Sequence, residues 1–259
     1  MPSHCSGWAG DEKSTRSSLI LTNNHQPSFI LKLLVLLLLL PAAAFAQKPS
    51  AHTCRILFLS GPDDAPEKLH LFDGAKSREV ELPRMNFSLV YQLPAGALNL
   101  CLLPAPLADP AKVPRGAPSA TVAEGVTDFY LLVTSDPANT VAPVRLQVIN
   151  AGADKLKAGQ TLWFNLTANA VGGTLGTEKL AIQAGARATV DAPASGNRNY
   201  QVNLAFRIPG DEQLYPLCET QWLHDPRSRS VAFIINENGN RSPRVMVFPD
   251  YREPKPEKP

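Results

Sequence analysis

The chain has 259 residues, 44% of them hydrophobic and 19% charged, which is apolar material for one large or two ordinary domains and too much for a chain disordered throughout. Its formal charge of +2 offers no concentrated field of the kind nucleic acid selects, so no nucleic-acid partner is expected. The 24 prolines outnumber the 16 glycines; proline removes a backbone donor and crowds the preceding turn, so long helices are disfavoured and an all-β chain is expected.

In chain order the first element concerns transport. Lys32, the apolar run Leu33–Leu40, Pro41 and the small-residue stretch Ala42–Ala46 follow the order of a secretory signal, with cleavage expected after Ala46. The run is shorter than the roughly 20 residues of a comfortable bilayer span, so contact with a membrane is expected only through this signal, should it stay uncleaved. The polar lead before Lys32 is long for such a signal. Cleavage leaves 213 residues with 22 basic and 21 acidic side chains, and a secreted or periplasmic location is expected. Cys54, Cys101 and Cys218 remain, enough for one intramolecular bridge at most and too few for a disulfide scaffold.

From Cys54 onward the apolar residues recur with period two. Leu98, Leu100 and Leu102, then Val144, Leu146 and Val148, then Val202, Leu204, Phe206 and Ile208 alternate with other residues, the pattern of strands with one face on a core. Further strands are expected at Ile56–Leu59, Leu69–Phe72, Glu79–Leu82, Phe87–Gln92 and Phe129–Thr134. In the second half they are expected at Leu162–Leu166, Leu180–Ile182, Leu214–Trp222, Val231–Ile235 and Val245–Phe248. The gaps are rich in Pro, Gly, Asn and Asp, the residues that turns select. Between Pro104 and Pro118 a Pro- and Ala-rich stretch reads as an extended loop.

The chain also echoes itself. CRILFLSGPDD from Cys54 aligns with VRLQVINAGAD from Val144, LPAGALNLC from Leu93 resembles IQAGARATV from Ile182, and Lys68–Phe72 has a counterpart in Thr161–Asn165, at offsets of 90, 89 and 93 residues. A second echo runs from FYLLVTSDPANTVAPVRLQV near residue 140 to AFIINENGNRSPRVMVF near the C-terminus. The strand beginning at Val144 therefore either opens a second module or closes the first. The expected organisation is two tandem immunoglobulin-like antiparallel β-sandwiches. Residues 1–46 form the signal with its lead, 52–142 the first sandwich, 143–250 the second, and 251–259 a disordered charged tail.

RILFLSGPDDAPEKLHLFDG at 55–74 and VYQLPAGALNL at 90–100 resemble an immunoglobulin-like family of unknown function found in secreted bacterial proteins. The matching positions are Pro62, Asp63, Ala65, Pro66, Asp73, Gly74, Tyr91, Pro94 and Gly96. The resemblance implies the fold and export and implies no activity. The same residues have mechanical roles without it: Pro62 and Pro66 restrict their loop, and Asp73-Gly74 suits a hairpin turn with positive φ.

Three histidines, His52, His70 and His224, survive cleavage, and no G-x-S-x-G elbow surrounds a serine. His52 is expected in a frayed N-terminus and His70 on a strand face. No C-x-x-C or H-x-x-x-H pair occurs, so structural zinc is not expected, and no cofactor is implied. The segment CETQWLHDPRSRS, Cys218–Ser230, gathers the most chemistry. With Trp163 it defines a candidate binding patch of Trp163, Trp222, His224, Asp225, Arg227 and Arg229. Trp163 alternates out of phase with Leu162, Phe164 and Leu166, which would turn it away from their core and make it the best test of an aromatic platform for sugar rings.

These features point to an exported, non-enzymatic structural or interaction protein of the cell envelope, with an envelope protein or polysaccharide as partner. Two other readings stand beside it: a carbohydrate-binding accessory module using exposed aromatics, and a small hydrolase using the Cys218–Arg229 region.

Overall fold

The computed structural model describes residues 51–62, 64–236 and 242–252. The expected signal at 1–46, Asp63, Asn240 at the head of an Asn-x-Ser triplet, and the tail from residue 253 lie outside the described residues.

Among the described residues sixteen strands form four four-stranded sheets. The first eight are β1 (Ala51–Ser60), β2 (Lys68–Phe72), β3 (Ser77–Glu81), β4 (Tyr91–Ala95), β5 (Leu98–Leu103), β6 (Ser119–Val122), β7 (Asp128–Ser135) and β8 (Val144–Asn150). The rest are β9 (Thr161–Asn165), β10 (Ala170–Leu175), β11 (Glu178–Ile182), β12 (Arg187–Val190), β13 (Arg198–Arg207), β14 (Leu214–His224), β15 (Ser228–Asn236) and β16 (Pro243–Tyr251). The chain is all-β, a pair of β-sandwiches. Sheets β4-β1-β7-β8 and β3-β2-β5-β6 form the first sandwich, and sheets β12-β9-β15-β16 and β11-β10-β13-β14 the second. Adding eight to every label of the first pair gives the second, including the parallel pairs β1 with β7 and β9 with β15.

This order moves the expected boundary at 142/143. β8 pairs with β7 along its whole length, from Ser135↔Val144 to Phe129↔Asn150, and so completes the first sandwich. The three alignments near offset 90 set β1 against β8, β2 against β9 and the β4–β5 segment against β11–β12, which occupy different places in the two strand orders. Shared turn and strand vocabulary accounts for them. The C-terminal echo instead joins β7–β8 to β15–β16, which occupy the same places. At the other end, β16 continues through Tyr251, one residue into the stretch expected as a tail.

Three cores stack through the molecule. Within the first sandwich Ile56, Phe58, Leu71, Leu100, Leu131 and Val133 meet. Within the second, Trp163, Val171, Leu180, Val202, Ala232 and Ile234 do the same. Between the sandwiches lies another core, where Leu57, Leu59, Tyr130 and Leu132 meet Leu162, Phe164, Val231, Phe233 and Phe248. The central strands of the inner sheets are therefore buried on both faces. That is why β1, β7, β9 and β15 read as nearly continuous apolar runs, ILFL, FYLLV, LWF and VAFII, while the outer strands alternate.

Local chemistry fixes the connections. Asp73 Oδ1 accepts from the Ala75 and Lys76 amides at 3.1 and 2.8 Å, and Gly74 at φ +92° completes the β2–β3 turn. β10, absent from the expected strands, carries Gly172 and Gly173, which weaken its pattern. Glycine is required at 173 because a Cβ there would stand 2.0 Å from the Asn203 carbonyl oxygen of β13. The Pro/Ala stretch covers the outer face of the first sandwich, where Leu107, Val113 and Ala117 pack on Phe72, Cys101 and Leu103. His52 is buried and pinned, its Nε2 lying 2.6 Å from the Gly96 carbonyl and its Nδ1 against that of Val126, so it is not frayed. Among the described residues no helix is long and apolar enough to cross a membrane.

Candidate functional site

The six candidate residues occupy four environments. Trp163 is on β9, buried, and faces the second sandwich's own core, opposite Leu162 and Phe164, which face the first sandwich. It cannot serve as a sugar platform: the period-two reasoning placed it out of phase correctly, but both faces of this inner sheet are covered. Trp222, on the edge strand β14, is half-buried and stacks on Trp163 with ring centroids 6.2 Å apart at 13°. Asp225 and Arg227 form the tight turn between β14 and β15. The Arg227 amide and Nε donate to Asp225 Oδ1 at 2.9 and 3.1 Å and Nη2 to Oδ2 at 2.9 Å. The guanidinium hydrogen bonds hold the Asp225 carboxyl below its ordinary range.

Arg229 points the other way, into the seam between the sandwiches, and joins residues that sequence reasoning missed. Its Nε donates to Asp250 Oδ2 at 3.0 Å, its Nη2 to Asp128 and its Nη1 to the Ala151 carbonyl. Asp250, fully buried, also accepts from Tyr130 Oη at 2.6 Å, from Arg252 Nε at 2.8 Å and from Arg55 Nη1. Arg252 Nη2 reaches Asp128 Oδ1 at 3.1 Å, and Thr53 Oγ1 donates to the same oxygen at 2.6 Å. Three guanidiniums, two carboxylates and a phenol from β1, β7, β15, β16 and Arg252 thus close one network at the edge of the shared core.

Burial alone would oppose the charge on Asp250, but the Tyr130 hydroxyl and the Arg252 and Arg55 guanidiniums outweigh it and hold the carboxyl below its ordinary value. For Arg229, burial is likewise outweighed, by the Asp128 and Asp250 carboxylates, so its guanidinium stays charged. Tyr130 is pushed up by burial and by the neighbouring Asp250, which keeps its hydroxyl a donor. Every charge here is paired, the condition under which buried ions are tolerated.

His224 ends β14 and is buried at 5% exposure, its ring edge-on to Tyr200 with centroids 6.5 Å apart. Its Nε2 and the indole Nε1 of Trp163 are two of the three buried side-chain polar atoms without a partner among the described residues. His224 lines a cavity of about 60 Å³ together with Thr161, Tyr200, Leu223, Ser230 and Tyr251. Burial pushes Tyr200 up to about 12.

Cys54, Cys101 and Cys218 are free thiols, each pushed up by burial and so away from thiolate character. Of the Asn-x-Ser/Thr triplets, Asn86 is exposed. Asn165 is fully buried, donating to the Asn169 and Gln183 carbonyls at 2.6 and 3.0 Å and accepting from Thr167; its triplet is a turn device between β9 and β10. No group of three or more His, Cys, Asp or Glu among the described residues is placed to hold a metal ion. No family model and no curated protein matches this sequence.

Proposed function

We propose that the chain is an exported, non-enzymatic structural or interaction protein of the cell envelope, in which two sandwiches act as one rigid body. The observation that carries this reading is the seam. Two inner sheets share a core as deeply buried as those inside each sandwich, and a fully paired charge network fastens its edge. A hinged pair of domains would keep a smaller, wetter interface, whereas this one suits a part that carries load or presents a fixed surface. The direction of the thiol shifts speaks against a cysteine nucleophile, which needs a lowered pKa.

The matched strand orders support an origin by duplication. Leu131 faces the first core as Ala232 faces the second, and Leu132 faces the seam as Phe233 does, so equivalent faces of equivalent sheets meet. Such self-matching is the pattern of an isologous dimer interface, and we read the molecule as a fused descendant of one.

Cell fractionation with intact-mass analysis tests the reading. Recovery from the envelope or periplasm of a chain beginning at Gln47 supports it; an uncleaved cytoplasmic chain, or turnover of ester or glycoside substrates by the purified protein, overturns it.

A further inference from the structure

Each of the four sheets ends in two edge strands, and most of these edges are blunted. β6 and β12 are four residues long, β3, β8 and β11 carry Arg78, Arg145 and Lys179, Pro94 interrupts β4, and Pro243 and Pro249 bracket β16. Short length, basic side chains and prolines keep an edge from pairing with another chain. β14 is the exception. At eleven residues it is the longest strand among the described residues, and from Leu217 to His224 it carries one charge, Glu219, and no lysine, arginine or proline. Cys218 and Trp222 pack on the second core from this edge and stay half-buried, and Leu223 is 64% exposed.

The backbone shows which groups the edge presents. The Gln201 carbonyl of β13 accepts from the Gly176 amide at 2.7 Å, and a Cβ at Gly173 would stand 2.0 Å from the Asn203 carbonyl oxygen, so both carbonyls point toward β10. Successive strand residues turn their N–H and C=O to opposite sides. Val202 and Leu204 therefore bond to β14, where they meet Thr220 and Cys218, and the N–H and C=O of Glu219, Gln221 and Leu223 point outward. An antiparallel copy of the same strand matches this edge in one register. Centred on Glu219, it would set two carboxylates face to face; centred on Gln221, it would set Glu219 against Leu223. Centred on Thr220, it sets Glu219 against Gln221 of the second copy, with their outward N–H and C=O groups exchanging hydrogen bonds, and Leu217 against Leu223. We propose that β14 pairs with β14 of a second copy about a twofold axis through Thr220, joining two outer sheets into one continuous sheet. This isologous contact does not depend on export. One added ladder buries less than the roughly 1,000 Å² of a stable interface, so the dimer is reversible, with a Kd on the order of 100 μM.

Sedimentation equilibrium of the chain beginning at Gln47, under reducing conditions from about 10 μM to about 1 mM, tests the proposal. The mass is expected to rise from one chain to two and to stop there. Gln221→Pro removes an N–H that has no partner within the chain, so the fold is kept while association weakens by about tenfold or more. Leu223→Lys, an exposed position on the same edge, weakens it in the same direction and keeps the test decisive if the proline variant fails to fold. The register has its own readout. At a residue that meets itself in a non-hydrogen-bonded pair the Cα atoms lie about 4.5 Å apart, within disulfide reach. With Cys101 and Cys218 replaced by serine, Thr220→Cys is expected to form a covalent dimer with oxidised glutathione, which takes up the two electrons and leaves as two thiols, while Gln201→Cys, exposed one strand further in, does not. A single-chain mass throughout, growth beyond two chains, unchanged association in the folded variants, or Thr220→Cys cross-linking no faster than Gln201→Cys would overturn it.

Discussion

The two sandwiches share a strand order and differ in how they finish their surfaces. In the first, the Pro/Ala stretch folds over the outer sheet, and Ile56, facing the core from β1, is an aliphatic side chain with nothing polar to satisfy. In the second, the residue facing the core from β9 is Trp163, whose indole nitrogen has no partner among the described residues, and the sandwich end holds His224 with another orphaned nitrogen and a cavity. Shared topology therefore does not mean shared duty. The first sandwich spends its residues on closure, the second leaves polar groups and apolar rims unfinished, and function is carried by such sites grafted on a fold.

A single substitution should do most damage at the seam, where the two halves depend on each other. Asp250→Ala removes the acceptor for three guanidiniums and strands Arg229 among buried groups, an expected loss of about 3–5 kcal/mol by denaturant unfolding. The same carboxyl sets a pH dependence. Because its folded pKa lies below its ordinary 3.8, its contribution is fully present at neutral pH and is lost as pH falls through 3.8 toward the folded value. The parent should therefore destabilise more steeply than Asp250→Ala between about pH 5 and pH 2; parallel pH profiles would show that the network adds nothing in solution.

A smaller effect is expected inside the second core. Trp163→Phe loses ring volume but also removes the orphaned N–H, so the two terms offset and the cost should stay near 1 kcal/mol, well under the roughly 2–5 kcal/mol of Ile56→Ala in the first core. A Trp163→Phe penalty as large as that of Ile56→Ala would mean that the indole nitrogen is satisfied in solution and that the contrast between the sandwiches is overstated. Least of all is expected at the β14–β15 turn. Arg227 is exposed, its ion pair with Asp225 is screened by solvent, and Arg227→Ala should leave the thermal midpoint unchanged.

Much of the fold was legible because alternation is strong where one face of a strand is solvated, as at the start of β8 and in β13. β6, β10 and β12 were not, because four residues beside a proline-rich loop, two glycines in six, or the four residues Arg187–Val190 carry little pattern. The four-layer stack was written in the sequence as consecutive apolar residues in β1, β7, β9 and β15, a pattern that alternation alone discards. The candidate patch was a sequence neighbourhood, and a strand turns neighbours to opposite sides: His224 goes to the cavity, Arg229 to the seam, and the turn between them to solvent. The seam network was beyond local reading because Arg55 and Asp250 lie 195 residues apart and Asp128 and Arg229 lie 101 apart. The one local hint was a lone charge, Arg55, inside the apolar strand β1.

One measurement bears most directly on the rigid two-sandwich account. In a chain beginning at Gln47, which lacks Cys5 and Trp8, with Cys101 and Cys218 replaced by serine, thiol labelling of Cys54, fully buried in the first core, reports opening of the first sandwich, and Trp163–Trp222 fluorescence reports the second. Followed through one denaturant series, the two signals should change together in a single cooperative transition. Labelling of Cys54 at a denaturant concentration where the tryptophan signal is still native, or the reverse order, would show that the sandwiches unfold independently and would contradict the account.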